Sequence, residues 1–169
     1  SVHAIVRSHG GHIGVYSEPG HGTTFKVHLP ASPRLPSGDH TAAPPALPRG
    51  RGECVLVADD EPSILDIARR TLETYGYRVL TANNGADALG VFAHHAGEIS
   101  LVVTDMMMPV MDGSSAIDAL LRLKPGLRII AASGLHGNAT RAAHVGVKHF
   151  LPKPYTADAL LIMCRDVLD

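Results

Sequence analysis

Apolar and polar residues follow one pattern over most of this chain and another at its start. From residue 52 onward, five short apolar runs alternate with segments whose apolar residues recur every three or four positions. The runs predict buried β-strands, and the periodic segments predict amphipathic helices. The predicted strands are residues 54–58, 77–82, 101–104, 128–132 and 147–151, and the predicted helices are residues 62–75, 86–93, 114–123, 136–144 and 156–168.

Strands that alternate with helices predict a parallel sheet, because the chain must cross over the sheet to reach the next strand. Apolar runs without polar alternation indicate strands that are covered on both faces. Given right-handed crossovers and this size, we predict an α/β fold. It is a flavodoxin-like, doubly wound, five-stranded parallel sheet in the order 2-1-3-4-5, and it occupies residues 52–169.

Residues 1–30 have a different pattern. A short helical spacing is followed by two strand-like runs, residues 12–17 and 23–29, which are joined by a turn rich in glycine. A helix and a hairpin of this length cannot bury a core of their own. We therefore expect this unit to be the end of a larger domain whose body lies upstream of Ser1.

Residues 31–51 separate these two parts. Their sequence, ASPRLPSGDHTAAPPALPRGR, is dense in proline and has no apolar period, so it offers nothing to bury. Such a composition predicts a semi-extended linker.

Composition narrows the class of protein. The formal net charge of −1 gives no electrostatic reason to expect nucleic acid or a membrane surface as a partner. No apolar run approaches the roughly 20 residues needed to span a bilayer. The two cysteines and eleven histidines form no convincing metal-ligand or redox spacing. We expect a cytoplasmic segment with reduced thiols, even if its parent protein is anchored in a membrane upstream.

Polar residues stand at the carboxyl ends of the predicted strands, where open parallel sheets bind their ligands. Asp59 and Asp60 follow the first strand, Asp105 the third, Ser133 the fourth and Lys153 the fifth. Neighbouring carboxylates repel one another unless a cation compensates, and magnesium prefers such hard oxygen ligands. Phosphoryl transfer needs this combination of positioning and charge neutralisation. For Asp59 and Asp60 taken alone, a role as helix N-caps is an equally good interpretation.

The motifs that carry these residues resemble the receiver domains of two-component systems. The resemblance covers residues 52–169, and its one departure is a slightly short segment between Ser133 and Lys153. The motifs occur in order as VADDE (57–61), TDMMMPVMDG (104–113), AASG (131–134) and FLPKP (150–154).

The resemblance implies a role for each residue of the acidic site. Asp105 would be the nucleophile that becomes an aspartyl phosphate. Asp60, Asp105 and the backbone carbonyl of Met107 would bind Mg²⁺ or Mn²⁺ directly, and Asp59 would hold a water on the metal. Lys153 would pair with Asp105 beforehand and neutralise the phosphoryl group.

The resemblance also implies a switch. Ser133 would move to hydrogen-bond a phosphoryl oxygen, and Phe150 would turn inward when it does. The Lys153–Pro154 peptide bond is expected to be cis.

Residues 2–30, with the sequence VHAIVRSHGGHIGVYSEPGHGTTFKVHLP, resemble the end of the ATP-binding domain of sensor histidine kinases, which is an α/β sandwich. The order of ATP-binding remnant, linker and receiver implies the C-terminal piece of a hybrid sensor histidine kinase. The parent would be an ATP:protein-histidine phosphotransferase, whereas this piece would catalyse only its own phosphorylation and dephosphorylation. Its expected partners are a histidine kinase core, its own or a cognate one, and a histidine phosphotransfer protein.

Two other functions fit parts of the sequence. A degenerate receiver would serve as a protein-interaction module without being phosphorylated. A haloacid dehalogenase-type phosphatase would also use an aspartate nucleophile, but it needs a second acid two residues further on. Met107 occupies that position.

Overall fold

The structure is a computed structural model that describes residues 2–20, 22–31, 46–134 and 147–169. The chain divides into two units between Pro44 and Pro45. The first unit contains helix α1 (Val2–Ser8) and an antiparallel hairpin of strands β1 (His12–Glu18) and β2 (Gly22–His28). The predicted helix and hairpin are therefore confirmed. Gly10, with a φ of 70°, lets the chain turn sharply after α1.

The first unit leaves most of its apolar side chains in solvent. Val6 is the one buried side chain among its described residues. This agrees with the expectation that so short a unit cannot build a core. Its exposed large apolar residues are Val2, Ile5, Val15, Tyr16, Phe25, Val27 and Leu29.

The second unit is built on a parallel sheet of five strands. In space the strands follow the order β4-β3-β5-β6-β7, which is the predicted order 2-1-3-4-5 when they are counted within the sheet. The elements are β3 (Cys54–Ala58), α2 (Pro62–Thr74), β4 (Arg78–Ala82), α3 (Gly85–His95), β5 (Ile99–Asp105), α4 (Gly113–Leu123), β6 (Arg128–Ser133), β7 (His149–Pro152) and α5 (Ala157–Leu168).

Helices cover both faces of this sheet. Cys54 and Leu56 of β3 belong to a core with side chains of α3 and α4, including Phe92. Val55 and Val57 belong to a separate core with α2 and α5, including Leu72, Leu161 and Cys164. Successive residues of a strand point to opposite faces, so the two cysteines lie on opposite sides of the sheet. Burial on both faces is the reason why the strands are continuous apolar runs.

Element boundaries differ from the predictions by one or two residues at most ends. The starts of β5 and β7 each move by two residues. β5 begins at Ile99 because this residue pairs with Cys54 before a shift in register. Half-buried Ser100 interrupts the apolar run there, so the pattern placed the start at Leu101. The predicted helix over residues 136–144 lies outside the described residues.

Residues 46–51, which were predicted to be linker, belong to the second unit. Leu47 is half-buried on the core beneath α2 and α5. The Gly50 N–H donates to the Tyr75 carbonyl at 2.8 Å. The packed part of the chain therefore begins about five residues earlier than predicted. Backbone hydrogen bonds supply this attachment, and they leave no apolar period in the sequence.

In the described ranges, none of the helices has both the length and the apolar character needed to cross a membrane.

Candidate functional site

Three aspartates come together at the carboxyl edge of the sheet. Asp59 follows β3 directly, Asp60 is the next residue, and Asp105 is the last residue of β5. Since β3 and β5 are neighbouring strands with Ala58 opposite Thr104, their ends coincide. One carboxylate oxygen from each aspartate lies within 4.8 Å of the others, a spacing that a single metal ion can bridge.

The interpretation of Asp59 and Asp60 as helix N-caps is not what the structure shows. The N-cap of α2 is Glu61, and Pro62 takes the first helical position, as the sequence predicted. Asp59 is buried, and its Oδ1 accepts the backbone N–H of Glu61 at 3.0 Å. Its other oxygen faces the strand ends. Asp60 is exposed at the rim of the cluster.

Lys153 links the two buried aspartates. Its Nζ lies 2.6 Å from Asp59 Oδ2 and 2.8 Å from Asp105 Oδ2. The Lys153 N–H donates to the Ser133 carbonyl at 2.9 Å, which ties the residue to the end of β6. The Lys153–Pro154 bond is cis, so that prediction is confirmed.

The electrostatics of the cluster favour a charged lysine. Partial burial lowers the pKa of Lys153, but hydrogen bonds from the ammonium to Asp105 and Asp59 outweigh burial and raise it above the usual 10.5. One ammonium offsets one of the three negative charges. The two negative charges that remain would be balanced by one divalent cation. Carboxylate oxygens are suitable ligands for such an ion.

The loop after Asp105 folds tightly around it. The Met107 N–H donates to Asp105 Oδ1 at 3.2 Å, and the Met107 side chain is exposed. A Cβ atom at Gly113 would lie 2.1 Å from the Asp105 carbonyl oxygen, so only glycine fits there. In the sequence, Gly113 is the last residue of the motif TDMMMPVMDG. The glycine that follows the acidic loop was the available signal, but its contact with Asp105 depends on the folded loop. The Asp112 side chain caps α4 by accepting the Ser115 N–H at 2.8 Å.

Ser133 and Phe150 flank the site on the neighbouring strands. Ala132 lies opposite Asp105, so Ser133 stands one residue beyond the acid on the adjacent strand and is half-buried. Phe150 lies on β7 opposite Ala131 and packs, partly exposed, against the core shared with α3 and α4. The structure thus brings Asp59, Asp60, Asp105 and Lys153 into one cluster, with Ser133 at its edge and Phe150 further along β7.

A doubly wound sheet of this order, with a lysine bridging carboxylates at its switch point, is the architecture of a receiver. The chain belongs to the response regulator receiver domain family, whose sequence model matches residues 55–165. It is a receiver domain of a two-component phosphorelay.

Relatives include sensor kinases. The chain is 32% identical over 179 residues to the sensor kinase CckA of Brucella abortus, an alignment that covers 99% of this chain. It is 30% identical over 151 residues to the autoinducer 1 sensor kinase/phosphatase LuxN of Vibrio campbellii, covering 79% of this chain. The alignments span only 19% of CckA and 18% of LuxN.

Solved structures support the same fold. A receiver domain protein from Clostridium thermocellum is 32% identical, with a TM-score of 0.65, and the alignment covers 69% of this chain and 94% of that one. The chemotaxis protein CheY4 of Vibrio cholerae is 27% identical, with a TM-score of 0.65, and the alignment covers 69% of this chain and 99% of CheY4.

Proposed function

We propose that Asp105 accepts a phosphoryl group from a phosphohistidine. The observation that carries this proposal is the cluster of Asp59, Asp60 and Asp105 with Lys153 hydrogen-bonded to its two buried members. A carboxylate oxygen of Asp105 forms the new P–O bond while the P–N bond to the donor imidazole breaks. The electron pair of that bond goes to the imidazole nitrogen, which then takes up a proton from solvent.

The residues around Asp105 position and neutralise the incoming group. Lys153 faces Oδ2 of Asp105 and can follow the charge as it moves onto the phosphoryl oxygens. Phosphoryl transfer depends mainly on such positioning and charge stabilisation. The exposed position of Asp60 leaves the cluster open on the side from which a donor must approach.

Asp60, Asp105 and the Met107 carbonyl would hold Mg²⁺ or Mn²⁺, and Asp59 would hold a water on the metal. The donor set fits, because it consists of hard oxygen atoms with a net negative charge. When bound, the ion supplies the positive charge that draws the phosphoryl group towards the carboxylates.

Ser133 and Phe150 would report phosphorylation to a partner. A phosphoryl group adds three acceptor oxygens beside the end of β6, where Ser133 stands. Movement of Ser133 towards them opens space near β7, and Phe150 is only partly exposed there with the core beneath it. Its ring can then move further inward, and this changes the surface around β7.

Residues 1–30 would belong to the ATP-binding domain of a sensor histidine kinase, and the whole protein would be a hybrid kinase. Two observations support this. The alignment with the sensor kinase CckA extends over 99% of the chain, and the first unit exposes apolar side chains on its helix and on its hairpin. The partners would be a histidine kinase core, a histidine phosphotransfer protein or both. Because a histidine kinase core takes its phosphoryl group from ATP, the receiver would act in the cytoplasm.

The test is to incubate the chain with acetyl phosphate and MgCl₂ and to measure its intact mass. We expect the wild type to gain one phosphoryl group. We expect no addition when EDTA replaces MgCl₂, and none in Asp105→Asn. Asp118→Asn is the matched control, because Asp118 lies on the surface of α4 in an ion pair with Arg122. Undiminished labelling of Asp105→Asn would contradict the assignment. Failure of the wild-type chain to be labelled would favour an interaction module.

A further inference from the structure

Residues 46–52 run along the C-terminal end of α2. The last carbonyls of a helix have no partners within the helix and must find them elsewhere. Here three successive carbonyls, at and just after the end of α2, accept hydrogen bonds from this segment. The bonds are Arg49 Nη2 to Thr74 O at 3.1 Å, Gly50 N to Tyr75 O at 2.8 Å and Gly52 N to Gly76 O at 3.0 Å.

Arg49 also supplies a positive charge that the last turn of α2 lacks. The last turn of α2 contains no basic residue. A cation near the C-terminal end of a helix is favourable because the carbonyls there carry partial negative charge. The Arg49 guanidinium reaches this position from outside the helix and lies 5.6 Å from the centroid of the Tyr75 ring.

Gly50 allows the segment to lie flat on the core. A Cβ atom at Gly50 would be 2.6–2.9 Å from three atoms of the Tyr77 ring. That ring cannot easily move aside, because Tyr77 is only 4% exposed. Leu47 packs on the same core.

Glu53 fixes the end of the segment where it enters β3. Its carboxylate accepts from Arg165 at 2.7 Å, and both side chains are largely buried. Its carbonyl accepts the Arg78 N–H at 3.0 Å. The segment is thus held by the end of α2, and Glu53, which follows it, is held by α5 and β4.

We propose that residues 46–52 form a strap that caps α2 and opens together with the last turn of that helix as one cooperative unit. The strap makes the C-terminal end of α2 the point at which the start of the second unit is attached. The other end of α2 begins at Pro62, two residues after Asp60. The proposal does not depend on phosphoryl transfer to Asp105.

Hydrogen exchange of backbone amides in the 169-residue chain tests the strap. In the wild type we expect the Gly52 amide to be protected. In Gly50→Ala, whose new methyl group collides with Tyr77, we expect the protection factor of Gly52 to fall at least about tenfold. The amides of Tyr75 and Gly76, which close the end of α2, should lose protection together with it. Arg49→Met should give a smaller loss of protection at the same amides.

Arg51→Met is the matched control. Arg51 lies in the same strap, but its side chain is 76% exposed and its ion pair with Asp169 is 3.9 Å long. This variant should keep wild-type protection, and amides of β6 should stay unchanged in every variant. A wild-type Gly52 amide that exchanges at the rate of an unstructured peptide overturns the strap. If Gly50→Ala loses protection at the Gly52 amide but keeps it at the amides of Tyr75 and Gly76, the strap and the helix end do not open as one unit.

Discussion

The ammonium of Lys153 lies 2.8 Å from Oδ2 of Asp105 and joins strand ends that are 48 positions apart in the chain. The same ammonium contacts Asp59 at 2.6 Å. The positive charge of Lys153 therefore offsets the repulsion between Asp59 and Asp105 before any phosphoryl group arrives.

Replacing Lys153 with an uncharged residue should lower the stability of the protein. Lys153→Met leaves two buried carboxylates without their common partner, so the free energy of unfolding in urea should fall by about 1–3 kcal/mol.

MgCl₂ at about ten times its dissociation constant should raise the free energy of unfolding by about 1.4 kcal/mol, because the ion binds to the folded state. Lys148→Met, at an exposed lysine, is the control and should change stability by less than about 0.5 kcal/mol. Equal stability of Lys153→Met and wild type in EDTA would show that the ion pair is not stabilising.

The pH dependence of stability follows from the raised pKa of Lys153. A lysine whose pKa is higher in the folded state binds its proton more tightly there, so its contribution is complete below the unfolded value of 10.5. The contribution disappears as pH rises through the folded value. Urea unfolding from pH 8 to 11.5 should therefore show that the difference between wild type and Lys153→Met narrows only above about pH 10.5. A constant difference across this range would contradict the pairing.

Two glycine-to-alanine changes should have opposite effects. At Gly113 the new Cβ would collide with the Asp105 carbonyl, and we expect a loss of stability above about 3 kcal/mol. At Gly90, in the exposed face of α3, a Cβ would meet nothing within 4 Å. Alanine there should stabilise the protein by up to about 1 kcal/mol, because it favours the helix. Thermal unfolding of both variants is the measurement, and a stable Gly113→Ala protein would contradict the tight loop.

Ser133→Ala should separate phosphorylation from its readout. Asp105 and Lys153 remain in place, so the variant should still be labelled by acetyl phosphate. Without the hydroxyl, the response around β7 should be weak. The measurement compares amide shifts of β7 by NMR with and without beryllofluoride in wild type and variant. A full wild-type shift pattern in Ser133→Ala means that the switch does not run through this residue.

The sheet and the acidic cluster were predictable because they follow from strand order. Once β3 and β5 are neighbours, the residues that follow them must meet at the same edge. Topology therefore places Asp59, Asp60 and Asp105 at this edge. It places Lys153 there too, because Lys153 follows β7, the strand that pairs with β6. The resemblance of the motifs then implies roles that topology alone does not.

Other contacts depend on local backbone geometry that no apolar pattern encodes. A glycine at position 113 is visible in the sequence, but its contact with Asp105 depends on how the loop folds. The N-cap of α2 is Glu61, although aspartate is the commoner cap. Two of the strap's three hydrogen bonds to the end of α2 come from backbone N–H groups, which every residue except proline possesses. Its sequence therefore has the composition of a linker, although part of it is packed.

Cys54 and Cys164 lie on opposite faces of the sheet, so each thiol can report on the opening of its own core. A disulfide between them within one folded chain is excluded, because the sheet itself lies between the two cores. Burial raises the pKa of the Cys54 thiol and raises that of Cys164 to about 12, so neither forms a reactive thiolate at neutral pH while the fold is intact. The rate at which each thiol becomes alkylated is therefore a measure of how often its own side of the sheet opens. One chain can thus report separately on the layer of α3 and α4 and on the layer of α2 and α5.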